Sequence, residues 1–347
     1  MSSGFFRVIN RWKVPVVISF TSAYVAVDTY RMKMRKESEI CVNLNGKPVI
    51  GVLGDVPCVS PKLQEIIDDV KSTLNLPQSK KSVLNYYVTP YPKPIINGYY
   101  SSYSTIDVFL PDYLNISSGE QLTALAICNI IGLMGENFES LAADDWLTPD
   151  GKSFINSFLL SERAKKYLVT QTSYSNLNPE YHLKYIVFSL VSAVFLVCMA
   201  MVDERAKGGI AKIGLLLLLA IPMGLLKNLL SGHSRLLCES NGVAQAISRN
   251  MLTWREMIKT QDESLIDEEM LLGALEYYSK LLQRNKASYR LFSSGFRISR
   301  ILNDDGEDVN PFNLELPRAE LIRQLQRIQT LLNSKKSLDS SSNVDSQ

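Results

Sequence analysis

The chain has 347 residues and a net charge of +2, with a mean hydropathy of zero. This composition excludes a polytopic transporter, which would be apolar throughout, and gives no reason to expect nucleic acid as a partner. The five cysteines are scattered and there are only two histidines, which disfavours a disulfide framework, a thiolate zinc site and a histidine-rich metal centre. We therefore expect neither a cofactor nor a metal.

The N-terminal segment is basic and carries no acidic residue before Asp28. Its apolar run over residues 14–27 (VPVVISFTSAYVAV) predicts a first membrane helix that extends to Tyr30. The basic, acid-free start is also typical of mitochondrial targeting, and the short apolar run would suit a secretory signal, although the cleavage-site pattern is poor. Residues 1–36 are thus predicted to form a basic segment with a membrane span.

Residues 37–180 predict a soluble part that contains both strands and helices. The β-branched residues around Asn45-Gly46 indicate a hairpin over residues 40–53. Ser60 followed by proline is typical of a helix start, and the apolar residues that follow share one face. Residues 105–110 (TIDVFL) predict a short strand, and the aromatic and proline-rich stretch before it predicts an edge strand and a loop.

The second half of this part predicts two helices. Ser117 and Glu120 form a capping box for a nearly all-apolar helix over residues 121–134, which should lie at the centre of the soluble body. After an acidic loop, residues 154–169 (FINSFLLSERAKKYLV) predict one amphipathic helix.

The next stretch predicts a transmembrane helical hairpin over residues 185–230. Its first arm, residues 185–202, carries no charge, and its second arm is charged only at Lys227. Each arm is long enough to cross the hydrocarbon core as a helix, where the backbone must satisfy its own hydrogen bonds. The alternative, a buried core hairpin, would need a large soluble shell around five consecutive leucines.

Residues 233–333 predict a second, helical soluble part, followed by a polar tail. Its three predicted helices are residues 236–254, 267–283 and 318–333. The tail, residues 334–347 (SKKSLDSSSNVDSQ), should be disordered. The predicted fold class is therefore an α+β membrane protein, in which an N-terminal span and a transmembrane hairpin are joined to a mostly helical soluble body with a small sheet.

The sequence contains no pattern for a phosphate-binding loop, a nucleophile elbow or a kinase. The order of strand, capped start, apolar helix and later hairpin resembles membrane zinc metallopeptidases of the HtpX and CAAX-protease kind, which carry HExxH. In EQLTALAICNIIG, Cys128 and Gly132 would stand at the histidines and Asn129 at the glutamate, while Glu239 would stand at the third ligand. Because glycine has no ligand atom and asparagine cannot take a proton from water, this resemblance implies a relic zincin-like fold, a pseudo-peptidase.

Three stretches carry a second pattern. Residues 60–76 form the amphipathic helix after the first span. In residues 146–167, W-x-x-P-x-G leads to LSERAKKY, and residues 273–285 read G-x-x-E-aromatic-Y-x-K-L-L-x-x-N. In order and spacing these stretches resemble the transmembrane protein 177 family of mitochondrial inner-membrane proteins.

The resemblance implies a non-enzymatic, multi-pass protein of the mitochondrial inner membrane. Its partners would be membrane lipid and newly made cytochrome c oxidase subunit 2 with its membrane chaperone, before copper insertion. The family has no established catalytic residues, so Glu276, Tyr277, Tyr278 and Lys280 are named only as candidate partner contacts, with a structural role in one helix as their alternative. The alternative function is an inactive or atypical membrane metallopeptidase-like protein.

Overall fold

The computed structural model describes the central and C-terminal parts of the chain, with gaps. The described residues are 59–89, 93–97, 106–116, 143–175, 191, 194, 233, 236–250, 252–259, 263–292, 302–308 and 317–344. The chain divides into two compact units. Met1–Arg35, Pro179–Leu237 and Pro311–Leu314 form the first; Lys36–Asn178, Cys238–Asn310 and Glu315–Gln347 form the second. Nearly all described residues belong to the second unit, whose fold is given below.

The predicted class of an α+β membrane protein is contradicted. Among the helices of the described ranges, none is both long and apolar enough to cross a membrane. The two longest, Glu268–Leu291 and Arg318–Val344, each contain several charged side chains. The predicted first span lies outside the described residues, as does the predicted hairpin apart from Val191 and Val194. The second unit instead shows a mostly helical fold with a small sheet.

The first described helix, α1 (Pro61–Thr73), begins where the sequence predicts. The Ser60 hydroxyl accepts a hydrogen bond from the Leu63 amide at 3.3 Å, and proline occupies the first helical position. The apolar face of α1 is buried. A short helix, α2 (Gln78–Lys81), follows and leads into the sheet.

The sheet has three strands, β1 (Leu84–Thr89), β2 (Ile95–Asn97) and β3 (Ile106–Pro111), in the order β1-β3-β2. Strand β1 runs parallel to β3, with Leu84 opposite Ile106, whereas β2 is antiparallel to β3. Every residue of β3 is buried, as expected for a central strand. The predicted strand over residues 105–110 is thereby confirmed. The predicted hairpin over residues 40–53 and the apolar helix lie outside the described part of the chain.

The predicted single helix over residues 154–169 is wrong, because the structure has two helices there. Helix α3 (Pro149–Asn156) ends where the Ser157 hydroxyl donates to the Phe154 carbonyl at 2.6 Å. Helix α4 (Glu162–Ser175) begins after Ser161, whose hydroxyl accepts from a backbone amide of its first turn. Serine side chains that bond to the backbone thus end one helix and start the next.

The predicted helix over residues 236–254 is shorter in the structure. Helix α5 (236–247) ends where Ser248 pairs with Ile266 in an isolated β-bridge, and α6 (Trp254–Lys259) follows. Helix α7 (Glu268–Leu291) begins at the predicted position, because the Asp267 carboxylate accepts from the amide of Met270 at 3.1 Å. It continues eight residues beyond the predicted end at residue 283.

The last helix, α8 (Arg318–Val344), starts as predicted after Pro317 and extends through most of the tail that was predicted to be disordered. No glycine or proline follows Pro317 in the sequence, so no backbone restriction ends the helix at residue 333. Helix α8 buries Leu321, Leu325 and Leu332 in the same core as α3, α4 and α7.

Candidate functional site

Helices α4 and α7 come close together at Gly273. A Cβ atom at this position would lie 2.5 Å from the carbonyl oxygen of Arg163 and 3.0 Å from the Cβ of Tyr167. No real side chain tolerates such an approach to backbone, so this crossing of α4 and α7 requires glycine. The first residue of the G-x-x-E pattern therefore has a packing role.

Glu276 caps α4 from the neighbouring helix α7. Its carboxylate accepts hydrogen bonds from the Ser161 amide at 2.8 Å and the Ser161 hydroxyl at 2.5 Å. The Nε atom of Arg163 lies 3.4 Å from the same carboxylate. Burial alone would raise the pKa of Glu276, but the bonds from Ser161 and Arg163 outweigh it and lower the pKa. An ionised carboxylate therefore lies at the N-terminus of α4, where the helix dipole favours it.

Lys280 binds α3 one turn further along α7. Its Nζ atom donates to the carbonyl of Asn156, the last residue of α3, at 2.9 Å. A cation is thereby placed at a helix C-terminus. Glu276 and Lys280, two of the predicted partner contacts, thus contact the protein's own chain at the two sides of the break between α3 and α4.

The other two predicted partner contacts belong to a cluster of three tyrosines. The ring centroids of Tyr277 and Tyr278 lie 5.1 Å apart, and those of Tyr167 and Tyr278 lie 6.0 Å apart. The Tyr167 hydroxyl donates to the Tyr278 hydroxyl at 3.3 Å. Burial raises the pKa of both Tyr167 and Tyr277 well above the usual range, so these phenols are neutral at physiological pH.

A cavity of about 200 Å³ lies beside this cluster. It is lined by one face of α7, by polar residues of α4, by the start of α8 and by the segment that enters β2. The lining residues are Lys93, Pro94, Ile96, Gln171, Thr172, Ser175, Glu239, Tyr277, Tyr278, Leu281 and Arg318. The cavity therefore brings two of the predicted partner contacts together with Glu239.

Arg318 and Glu239 form an ion pair at the wall of the cavity. Their Nη1 and Oε1 atoms are 2.5 Å apart, and the Arg318 side chain is only 8% exposed. The guanidinium also lies over the ring of Tyr278, with its Cζ atom 5.5 Å from the ring centroid. Glu307 fixes the start of α8 by accepting from the amides of Arg318 and Ala319 at 2.8 and 2.6 Å.

Of the four residues that were aligned with a peptidase site, the structure describes one, Glu239. Cys128, Asn129 and Gly132 lie outside the described residues, and the carboxylate of Glu239 is engaged by Arg318. Within the ranges that are described, no group of three or more His, Cys, Asp and Glu residues could hold a metal ion. The relic peptidase site therefore stays a prediction from the sequence.

Sequence reasoning missed Lys93 and Arg318, because neither belongs to a pattern and they lie far apart in the chain. Two sequence signals lie near the cavity: the G-x-x-E-aromatic-Y pattern of α7, and Glu239, which was aligned with a peptidase ligand. Comparisons with protein-family models, curated proteins and solved structures found no match. Chemically, the cavity combines charged side chains, aromatic rings and apolar side chains, which suits binding.

Proposed function

We propose that the protein is a non-enzymatic assembly factor of the mitochondrial inner membrane. In this proposal it stabilises newly made cytochrome c oxidase subunit 2 together with the membrane chaperone of that subunit. The proposal rests on the resemblance of residues 146–167 and 273–285 to the transmembrane protein 177 family. It assigns the second unit a binding role and no chemical step.

One observation supports the proposal more than any other: residues 146–167 and 273–285, two of the three stretches that carry the resemblance, pack on each other. Gly273 allows the close approach to α4, and Glu276 and Lys280 bind the residues at either side of the break between α3 and α4. Within residues 146–167, a Cβ atom at Gly151 would overlap the backbone of Asp145 and Trp146. The pattern residues of both stretches are thus explained by a single packed unit.

This packing gives the pattern residues a structural role within the core formed by α3, α4 and α7. A protein that stabilises a folding intermediate needs a preformed surface, because ordering a flexible one on binding would cost affinity. The α3–α4–α7 core supplies such a body. We expect the partner to bind this body at the cavity or next to it.

The test is the lifetime of newly made subunit 2 in cells that lack the protein. Mitochondrial translation products are pulse-labelled and chased, and we expect subunit 2 to decay several times faster than in the parent cells. Re-expression of the wild-type chain should restore the lifetime, and a G273R variant, which cannot pack α4 on α7, should not. S279A, a change at an exposed position of the same helix, is the matched control.

Two further measurements show whether the effect is specific to subunit 2. The lifetimes of the other mitochondrially encoded proteins should be unchanged, because the proposal concerns subunit 2 alone. Labelled subunit 2 should also co-purify with the tagged wild-type chain. A normal subunit 2 lifetime after complete depletion would refute the proposed function.

A further inference from the structure

We propose that Arg284, Tyr113 and Ser288 bind a small monovalent anion, such as chloride or formate, in the interior of the second unit. These three residues are called the Arg284 cluster below. The proposed function does not assign this site, and the inference is independent of that function, because it rests only on the polar groups of the cluster.

Arg284 is a buried cation that contacts only neutral groups. Its side chain belongs to α7, and the residue is 4% exposed. The Nε atom donates to the Ser157 hydroxyl at 3.2 Å and the Nη2 atom to the Ser157 carbonyl at 3.0 Å. The Cζ atom lies 3.8 Å from the ring centroid of Phe158 and 4.8 Å from that of Tyr113. No carboxylate among the described residues pairs with this guanidinium, although a buried charge usually has a partner of opposite charge.

The guanidinium of Arg284 uses only one of its edges for these bonds. Nε and Nη2 form the edge that faces Ser157. The other edge consists of Nη1 and the second N–H of Nη2, and within the described part of the chain Nη1 has no acceptor. Two parallel N–H groups of this kind form the fork with which arginine binds anions.

Two hydroxyl groups without partners lie next to this guanidinium. The Tyr113 hydroxyl and the Ser288 hydroxyl are buried, and neither has a hydrogen-bond partner. Tyr113 contacts the guanidinium through its ring, and Ser288 lies one turn after Arg284 on the same face of α7. Buried hydroxyls are nearly always hydrogen-bonded, so two unsatisfied donors beside one cation indicate a shared acceptor.

The surroundings of the cluster favour a small anion as this acceptor. A water molecule could accept hydrogen bonds from the hydroxyls, but it would leave the charge of Arg284 uncompensated. The nearby carboxylate of Asp112 does not supply the charge, since it accepts from the Asn115 side chain at 3.0 Å and forms no ion pair with Arg284. Phe158 and Tyr113 enclose the guanidinium, and all three members of the cluster are less than 5% exposed. An ion of few atoms and a single charge is the least costly to transfer from water into such a site.

The experiment measures the melting temperature of the purified full-length chain at constant ionic strength. Sodium gluconate is replaced stepwise by sodium chloride in one series and by sodium formate in the other, because gluconate is too large for an enclosed site. An anion that binds only the folded chain raises the melting temperature. We expect a rise of about 2–4 °C at ten times the dissociation constant of the anion that binds more tightly.

Two variants place the anion in the Arg284 cluster. Y113F and S288A each remove one unsatisfied hydroxyl, so in gluconate they should melt at the same temperature as the wild-type chain or higher. In the anion series we expect both variants to lose most of the rise. S279A, which removes an exposed hydroxyl of α7, is the matched control and should retain the full rise.

The outcomes separate the two kinds of anion. A larger rise in formate than in chloride assigns the site to a small carboxylate, and the reverse order assigns it to a halide. A melting temperature that depends on neither anion, or a rise that is equal in Y113F, S288A and the wild-type chain, would overturn the inference. None of these measurements involves subunit 2, so failure of this inference is distinct from failure of the proposed function.

Discussion

Glu276 shows at the residue scale how one carboxylate joins two helices. Its bonds to Ser161 and Arg163 satisfy the first turn of α4 from a different helix. We expect E276Q to lower the free energy of unfolding by about 1 kcal/mol, because a neutral amide oxygen accepts more weakly than a carboxylate. Urea unfolding of the purified chain at neutral pH measures this change. E65Q, at an exposed position of α1, is the control and should have no effect.

The same contact predicts a pH dependence. The pKa of Glu276 is lower in the folded protein than in the unfolded chain, so its stabilisation is complete above the unfolded value of about 4.3 and is lost as the pH falls through the folded value. The unfolding free energies of the wild-type chain and E276Q should therefore converge at acidic pH. A difference that stays constant down to the lowest pH at which the chain folds would contradict this assignment.

Gly273 provides a second test at a single position. Alanine favours helix over glycine by about 1 kcal/mol, so G273A would stabilise α7 if the position were open. The contact with the Arg163 carbonyl, at 2.5 Å from the added Cβ, forces α4 and α7 apart instead, and overpacking of this kind typically costs about 1–3 kcal/mol. We expect a net loss of stability in thermal or urea unfolding, and a more stable G273A would show that the helices are further apart.

The composition of the cavity shows what the sequence can and cannot predict at this scale. The pattern in residues 273–285 directed attention to Tyr277 and Tyr278, and both line the cavity. Lys93 and Arg318 could not be found, because their proximity depends on the packing of β2 and α8 around α7. Residues that only the tertiary structure brings together have no characteristic spacing in the sequence.

At the scale of elements, helix starts were predicted better than helix ends. Ser60 and Asp267 are short polar side chains that bond to the first turn, and their effect is local, so the sequence contains it. The break between α3 and α4 could not be predicted, because residues 154–160 are largely apolar and continue the helical pattern. The contacts of α7 with both sides of the break stabilise it, and such contacts are visible only in the fold.

Two leucines of helix α8 provide a test of how this element docks on the core. Leu325 is fully buried against the core, whereas Leu331 is 53% exposed. We expect L325A to lower the free energy of unfolding by about 2–5 kcal/mol and L331A by less than about 0.5 kcal/mol. Both variants replace leucine by alanine, so the change in helix propensity is the same. A difference between their free energies of unfolding therefore reflects packing. Similar losses in urea unfolding would mean that α8 does not dock through the face seen here.

At the scale of the whole molecule, the second unit is assembled from parts of the chain that are far apart in sequence. Helix α4 precedes residue 179 and α7 follows residue 237, yet the two helices share one core through Tyr167 and Tyr278. The sequence predicted one part on each side of residues 185–230, and residues of both parts belong to the second unit. The sequence could not predict the contact between α4 and α7, because the roles of Gly273 and Glu276 depend on the position of α4 beside them.

This architecture predicts that the two sides depend on each other for folding. Fragments of residues 36–178 and 238–347, co-expressed with different tags, should purify as a 1:1 complex, since each exposes a large apolar face when it is alone. We expect each fragment to aggregate or be degraded when expressed singly. G273R should abolish co-purification, because an arginine side chain cannot fit against the α4 backbone, while S279A should leave it intact. Two fragments that fold and remain soluble separately would show that each side is an independent domain.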